Sequence, residues 1–272
     1  MGVGQVLLHG DGPLACVTLS HPGKLNAMSR AMWLQLREVF QRIHASTEWR
    51  CVVLRGEGNA FCAGGDISEY PAFRFDSAAL AHFHEHEVWG GLQAMLACDV
   101  PIVAQIDGAC MGAGVEIASC CDIRVAGASA TFGAPIARLG FPMAPREAEV
   151  VVRAAGELTA REMLLEAAVL SAAEMKLRGF LNSVSADGET AANALARARR
   201  IAALAPQAAR LNKQALRAIL MPKQAEPRVG RSFDAMESIA TGPAEQGPYH
   251  YADSPEHREG IAAFLGKRKP VF

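Results

Sequence analysis

Short β-rich runs that alternate with helical spacing, several of them closed by small-residue turns, constrain this chain more than any other feature. Residues 5–9 and 14–19 are two such runs, split by the turn signal Asp11-Gly12-Pro13. Residues 51–54 and 101–106 read as buried strands, and residues 122–126 as a further strand. Between these runs Ser29 stands where an N-cap belongs, and Met32, Leu36, Val39, Phe40 and Ile43 follow at helical spacing. A polar and aromatic stretch over roughly 77–96 predicts another helix, and residues 115 to about 120 a third. From about Arg146 onward the pattern is almost wholly helical, with 181–185 as one last strand and Pro206 opening a new helix. The alternation predicts an α/β fold. A shift in composition near residue 200 separates a core, residues 1–200, from a helical C-terminal region, residues 201–272.

Composition narrows the function classes. Apolar residues make up 50% of the 272, enough for a sizeable core. Lys plus Arg (27) nearly balances Asp plus Glu (28), so the net charge is −1, unlike a general nucleic-acid binder or a protein captured by anionic membrane. No run of about 18 apolar residues predicts a transmembrane helix. Residues 1–8 lack the basic and apolar regions of a signal peptide, so a cytoplasmic location is expected. Seven cysteines without a CxxC pair suggest reduced thiols, neither a disulfide framework nor a zinc site. His82, His84 and His86 invite a metal reading, but on a helix 82 and 86 share a face while 84 points away, so no metal site is assigned. Ser119 and the cysteines have no His-Asp partner placed by sequence, and covalent catalysis is not assigned.

Two glycine-rich turns follow buried strands. Gly64-Gly65 allows a tight turn and close approach to a ligand. Gly112-Ala113-Gly114 opens a helix, whose first N–H groups lack intrahelical partners and lie at the positive end of the dipole. Two such donors from different loops suit a developing oxyanion, where one donor is worth about 3–4 kcal/mol. The same glycines also suit plain tight packing. They are not a dinucleotide fingerprint, which would need another glycine at Ile117.

The order of motifs goes further. Phe61-Cys62-Ala63-Gly64-Gly65-Asp66, then the stretch from Val103 to Ile123 with Asp107-Gly108, Gly112-Ala113-Gly114, Glu116 and Cys121-Asp122-Ile123, resembles the crotonase superfamily, the enoyl-CoA hydratase/isomerase group. His21-Pro22-Gly23-Lys24-Leu25-Asn26-Ala27 is similar to that family's early coenzyme A loop. Thr131-Phe132-Gly133-Ala134-Pro135 and residues 258–269 are similar to its later stretches, so the likeness spans nearly the whole chain. The resemblance implies a crotonase (ClpP-like) fold: ββα repeats forming two roughly perpendicular sheets, with a helical C-terminal region that makes homotrimers or hexamers and covers the CoA pocket. It implies an acyl-CoA thioester as substrate, with coenzyme A part of that substrate and no separate cofactor. By position, the N–H groups of Gly65 and Ala113 would hold an enolate oxyanion and Glu116 would be the acid/base. Lys24, Leu25, Ala27, Ala63, Gly64, Asp66 and Ile67 would surround the CoA moiety. Lys267 and Lys269 would reach a CoA phosphate or form a solvated tail.

The chain departs from the family pattern at one chemical position. Hydratases of the family use two glutamates; one corresponds to Glu116, and the other is Ile136 here. Isoleucine transfers no proton, and each acid–base contribution is typically worth about 100- to 10,000-fold. A two-glutamate hydratase mechanism therefore lacks a partner, as does an isomerase that relies on the same carboxylate. A glycine-rich turn of the family is replaced by Phe141-Pro142-Met143-Ala144-Pro145-Arg146-Glu147. Glu147 or Glu149 would restore the acid if this loop turned inward, although surface charge is the expected state of both. Arg138 suits a second substrate carboxylate or a plain salt bridge. Hydratase/isomerase-type enolate chemistry leads the readings; decarboxylation, thioester hydrolysis and acyl-CoA binding with little catalysis are the alternatives.

Overall fold

The computed structural model describes residues 2–220 and 250–272, so the part of the C-terminal region between 221 and 249 lies outside the described residues. The chain forms two compact units, Met1–Arg200 and Ile201–Phe272.

The first unit opens with a hairpin, β1 (Gln5–Asp11) and β2 (Leu14–Ser20), paired antiparallel from Gln5↔Ser20 to Asp11↔Leu14. Helix α1 (Arg30–Ala45) starts where predicted, since the Ser29 hydroxyl accepts the Met32 N–H. Met32, Leu36, Val39, Phe40 and Ile43 form its buried stripe, joined by Trp33. After β3 (Cys51–Gly56) come a 3₁₀ turn (Ile67–Ala72), α2 (Ser77–His82), a π-helical turn (Phe83–Val88) and α3 (Trp89–Ala97). The single helix expected over 77–96 is thus interrupted by a wider turn, which rotates the side chains beyond it. Then follow β4 (Ile102–Ile106), β5 (Ala109–Met111), α4 (Ala113–Ser119), β6 (Ile123–Gly127) and β7 (Thr131–Gly133). A 3₁₀ turn (Pro135–Leu139) leads into α5 (Pro145–Ala155), α6 (Glu157–Leu165), β8 (Val169–Ser171), α7 (Ala172–Leu177), β9 (Ser183–Ser185) and α8 (Thr190–Ala202).

Two sheets result. The larger has the order β1-β2-β3-β4-β6-β9, parallel from β2 onward; the smaller is β5-β7-β8. Residues 51–54 and 102–104 are fully or nearly buried because these central strands are covered on both faces. The smaller sheet escapes sequence reading: its strands have three residues each, too few to show a period of two. Strand β8 also corrects the expectation of an almost wholly helical second half.

The second unit holds α9 (Pro206–Leu220), which begins at the predicted proline, a short 3₁₀ turn and α10 (Pro255–Leu265). Helix α9 buries none of its residues and exposes Leu216, Ile219 and Leu220; α10 exposes Ile261, Phe264 and Leu265. Among the described residues no helix is long and apolar enough to cross a membrane.

Phe132 of β7 is fully buried, edge-on to Phe180 at 5.9 Å between ring centres, and anchors the small sheet. Phe132→Ala is expected to destabilise the chain by about 3–5 kcal/mol, read as a lower midpoint in urea titration.

Candidate functional site

The two glycine-rich loops meet through the backbone. Cys62 N donates to Ala109 O (2.9 Å) and Met111 N to Cys62 O (2.8 Å), forming a parallel bridge between Cys62 and Cys110. Met28 N donates to Gly64 O (2.8 Å), and Asp66 N to Met28 O (2.8 Å). With the groups on either side of it directed to Met28, Gly65 turns its own N–H the opposite way, where it has no backbone acceptor among the described residues. Across from it, Gly112 takes φ +47° and donates to Gly133 O, leaving Ala113 as the first residue of α4, with no intrahelical acceptor for its N–H. The loops touch: a Cβ on Gly112 would lie 3.6 Å from Gly64 Cα, and one on Gly114 only 2.6 Å from Cys62 O. Glycine at 114 is therefore required by close packing, as the plain reading of these motifs proposed.

Glu116 follows in the first turn of α4 and is 7% exposed. The far end of this helix is held by Arg124, whose guanidinium donates to Ala118 O (3.2 Å), Cys121 O (2.5 Å) and Phe180 O (2.6 Å). No side chain among the described residues hydrogen-bonds the Glu116 carboxyl. Burial, and then the neighbouring charge of Glu147, push it well above the usual carboxylate range.

Glu147 is a correction to the sequence reading. It lies in the first turn of α5 and is only 3% exposed, not a surface charge. The spacing explains why: Glu147 precedes Val150 and Val151 by three and four residues, and these form the inward stripe of α5. Glu149 falls off that stripe, is exposed, and pairs with Arg153. The Glu147 carboxylate accepts a hydrogen bond from His84 Nδ1 at 2.8 Å. His84 arrives on the π-helical turn, which is itself tied down where buried Glu87 accepts from Arg30 Nε (2.8 Å) at the start of α1. His82 and His86 stay outside, rings 4.8 Å apart, so the three histidines do not converge.

Tyr70 went unnoticed in the sequence because nothing marks one tyrosine in a turn. Its hydroxyl sits so close over Gly65 that any side chain at 65 would collide with it. Its ring packs edge-on to Phe73 and Phe141, with the Arg74 guanidinium over both Tyr70 and Phe141. Burial raises the phenol; Arg74 opposes this, while the charges of Glu116, Glu147 and Asp66 reinforce it. Tyr70 is thus a neutral hydroxyl beside the glycine loop. The nucleophile candidates are otherwise engaged: the Ser119 hydroxyl donates to Val115 O (2.7 Å), and burial pushes the Cys62 thiol up to about 12.

The residues expected around coenzyme A come together. Ala63 N donates to Leu25 O (3.0 Å), and Lys24 Nζ donates to Asp66 Oδ2 (2.6 Å) and Ser68 Oγ (2.8 Å). Burial alone would raise the Asp66 carboxyl, but hydrogen bonds from Lys24 and Ser68 outweigh it and hold it below the usual range. Leu25 and Asn26 take φ of +47° and +60°, a turn held by the Asn26 amide donating to Glu57 O and Ala60 O. Ala27 and Gly64 are buried, Ala63 is half-buried, and Leu25 and Ile67 leave apolar side chains exposed beside the loop. Of the remaining candidates, Ile136 is half-buried, Arg138 donates to Ala167 O (3.0 Å), Arg146 pairs with Glu85 (2.9 Å), and Lys267 and Lys269 are exposed in the second unit.

The geometry therefore offers two backbone donors from different loops without backbone acceptors among the described residues, a buried carboxyl beside them that burial pushes well above the usual range, and a second buried carboxyl nearby. Such an arrangement stabilises negative charge on a carbonyl oxygen and moves protons next to it.

The family description "Enoyl-CoA hydratase/isomerase" matches residues 10–272. The 2,3-dehydroadipyl-CoA hydratase of Escherichia coli is 29% identical over 256 residues, covering 94% of this chain and 93% of that protein. A crystal structure of an enoyl-CoA hydratase/carnithine racemase from Magnetospirillum magneticum superposes with a TM-score of 0.87 at 34% identity, over 100% of this chain and 96% of that one. An enoyl-CoA hydratase from Polaromonas gives a TM-score of 0.83 at 25% identity, over 98% and 99%. The two-sheet architecture is the crotonase fold that the resemblance implied. The chain belongs to the enoyl-CoA hydratase/isomerase family of the crotonase superfamily.

The raised carboxyl of Glu116 has a stability consequence. A carboxyl that ionises at higher pH when folded contributes stability at low pH that is lost as pH rises from the ordinary glutamate value, about 4.3, toward the folded one. Glu116→Gln is therefore expected to raise the melting temperature at neutral pH. The gain should vanish below about pH 4, as followed by circular dichroism across a pH series.

Proposed function

We propose that this chain is an acyl-CoA enzyme of the hydratase/isomerase type, working through a thioester enolate. The observation that carries this reading is the pair of unpartnered N–H groups of Gly65 and Ala113, on touching loops, with buried Glu116 one turn into the helix that Ala113 begins. In this mechanism the thioester oxygen lies between the two N–H groups. They gain strength as that oxygen becomes an oxyanion, so they favour the enolate over the ground state. A backbone donor is indifferent to side chain, which makes alanine at 113 as serviceable as glycine at 65. Glu116 exchanges a proton with the substrate α-carbon; the upward shift of its carboxyl favours the protonated form that donates and makes the ionised form a stronger base.

The coenzyme A moiety, part of the substrate, would lie along Lys24, Leu25 and Ala27 on one side and Ala63, Gly64, Asp66 and Ile67 on the other. Lys24 serves this by holding the two loops together through Asp66. The similarity to the 2,3-dehydroadipyl-CoA hydratase of Escherichia coli supports the same reaction class. The exposed leucines, isoleucines and phenylalanine of α9 and α10 need a cover, and we assign it to further copies of the chain. Sedimentation velocity is expected to show a trimer or hexamer.

Calorimetry should detect crotonyl-CoA binding, and butyryl-CoA in D₂O should exchange its α-hydrogens. Glu116→Gln is expected to slow that exchange by at least about 100-fold with little change in affinity. Exchange at the wild-type rate in this variant would remove Glu116 from the chemistry.

A further inference from the structure

The position that supplies the second glutamate of related hydratases is Ile136, yet the structure places another carboxylate in the interior. We infer that Glu147, oriented by His84, is the second catalytic carboxylate of this site and that with Glu116 it makes the chain a hydratase. The inference rests on the enolate reading above and adds a residue and a reaction to it.

Three observations carry it. Glu147 is among the most deeply buried charged residues described, and its hydrogen bond comes from a histidine that is itself largely covered, so the pair is built into the interior rather than left on the surface. Its helix α5 packs directly against α4, which carries Glu116, so the two carboxyls approach from facing helices. The π-helical turn interrupts an otherwise regular helix and delivers His84 inward while His82 and His86 remain outside. Wider turns of this kind recur at functional sites. A purely structural role would be met more simply by an apolar residue at 147, since a buried carboxylate must recover a large desolvation penalty.

The groups facing this centre are Glu116 from α4, His84 from the π-helical turn, Tyr70 from the 3₁₀ turn, and Cys62, whose thiol feels the charge of Glu116. Burial, and then the neighbouring charge of Glu147, push the Glu116 carboxyl up, which suits it to be the proton donor of the pair. Hydration then balances. The Glu147 carboxylate takes a proton from water as the water oxygen bonds to the β-carbon of the enoyl thioester. The double-bond electrons move to the thioester oxygen, held by Gly65 and Ala113. As the enolate collapses, its α-carbon takes the proton of Glu116. The product is a 3-hydroxyacyl-CoA, and return of the proton from Glu147 to Glu116 resets the pair. His84 is a positioning residue: its Nδ1–H fixes one carboxylate oxygen and leaves the other for water.

The test is crotonyl-CoA hydration by the full chain, followed as loss of enoyl absorbance. Glu147→Gln is expected to slow hydration by at least about 100-fold while crotonyl-CoA still binds; Glu147→Asp should recover part of the rate, and His84→Gln should lose less than Glu147→Gln. In Glu147→Gln the pH at which butyryl-CoA exchange switches on should move down, because Glu116 loses its charged neighbour, a shift that loss of packing alone would not give. Hydration within about threefold of wild type in Glu147→Gln overturns the inference. A wild-type chain that exchanges butyryl-CoA but does not hydrate crotonyl-CoA also overturns it and leaves the enolate reading standing. A chain that neither binds nor exchanges overturns both.

Discussion

The site depends on one set of backbone hydrogen bonds, those joining residues 62–66 to residues 109–111 on one side and to Met28 on the other. They are made by main-chain groups, so they hold the two glycine loops at a separation that side-chain motion does not alter. The rest of the proposed site is arranged relative to them: the N–H groups of Gly65 and Ala113, the start of α4, and the loop around Leu25 that Lys24 and Asp66 fasten. The arrangement tolerates little. Gly114 has no room for a side chain against Cys62 O, and a side chain at Gly65 would require the Tyr70 hydroxyl to move. Preorganisation of this kind lets a backbone donor stabilise charge without a reorganisation cost at the moment of reaction.

Around that frame the protein keeps costly groups in place by pairing them. Arg124 is half-buried, and its guanidinium donates to two carbonyls at the end of α4 and to that of Phe180. Glu87 is buried against Arg30, and this pair fixes the π-helical turn. Glu116 is the exception, a buried carboxyl without a hydrogen-bonding partner among the described residues. A group left in that condition lowers stability at neutral pH, which fits a residue retained for chemistry rather than for folding. Glu147 lies between these cases: it is buried and has a partner, but the partner is a histidine on a distorted helix rather than an arginine.

The inward placement of Glu147 puts a second carboxyl close to Glu116 at a point where a surface charge was expected. Pro145 opens α5 directly after Ala144, with Glu147 in its first turn. An acid in the first turn of a helix is electrostatically favoured, and here the apolar stripe of α5 turns it toward the core.

Much of the fold was legible in the sequence where the elements are long. The α1 stripe, the cap at Ser29, the apolar strands over 51–54 and 101–106, and the order of glycine motifs all follow from local patterns that survive folding unchanged. The three-residue strands were not legible, because their pairing is set by partners distant in sequence and not by any period of their own. The same division runs through the site. The residues of the glycine loops and Glu116 were visible as motifs because their geometry is made by neighbouring backbone. Tyr70, His84 and the burial of Glu147 were decided only by the tertiary structure. Each belongs to a separate segment, and what brings them to one place is the packing of α4 and α5 and the wider helical turn; of these, only the spacing of Glu147 to Val150 and Val151 leaves a mark in the local sequence.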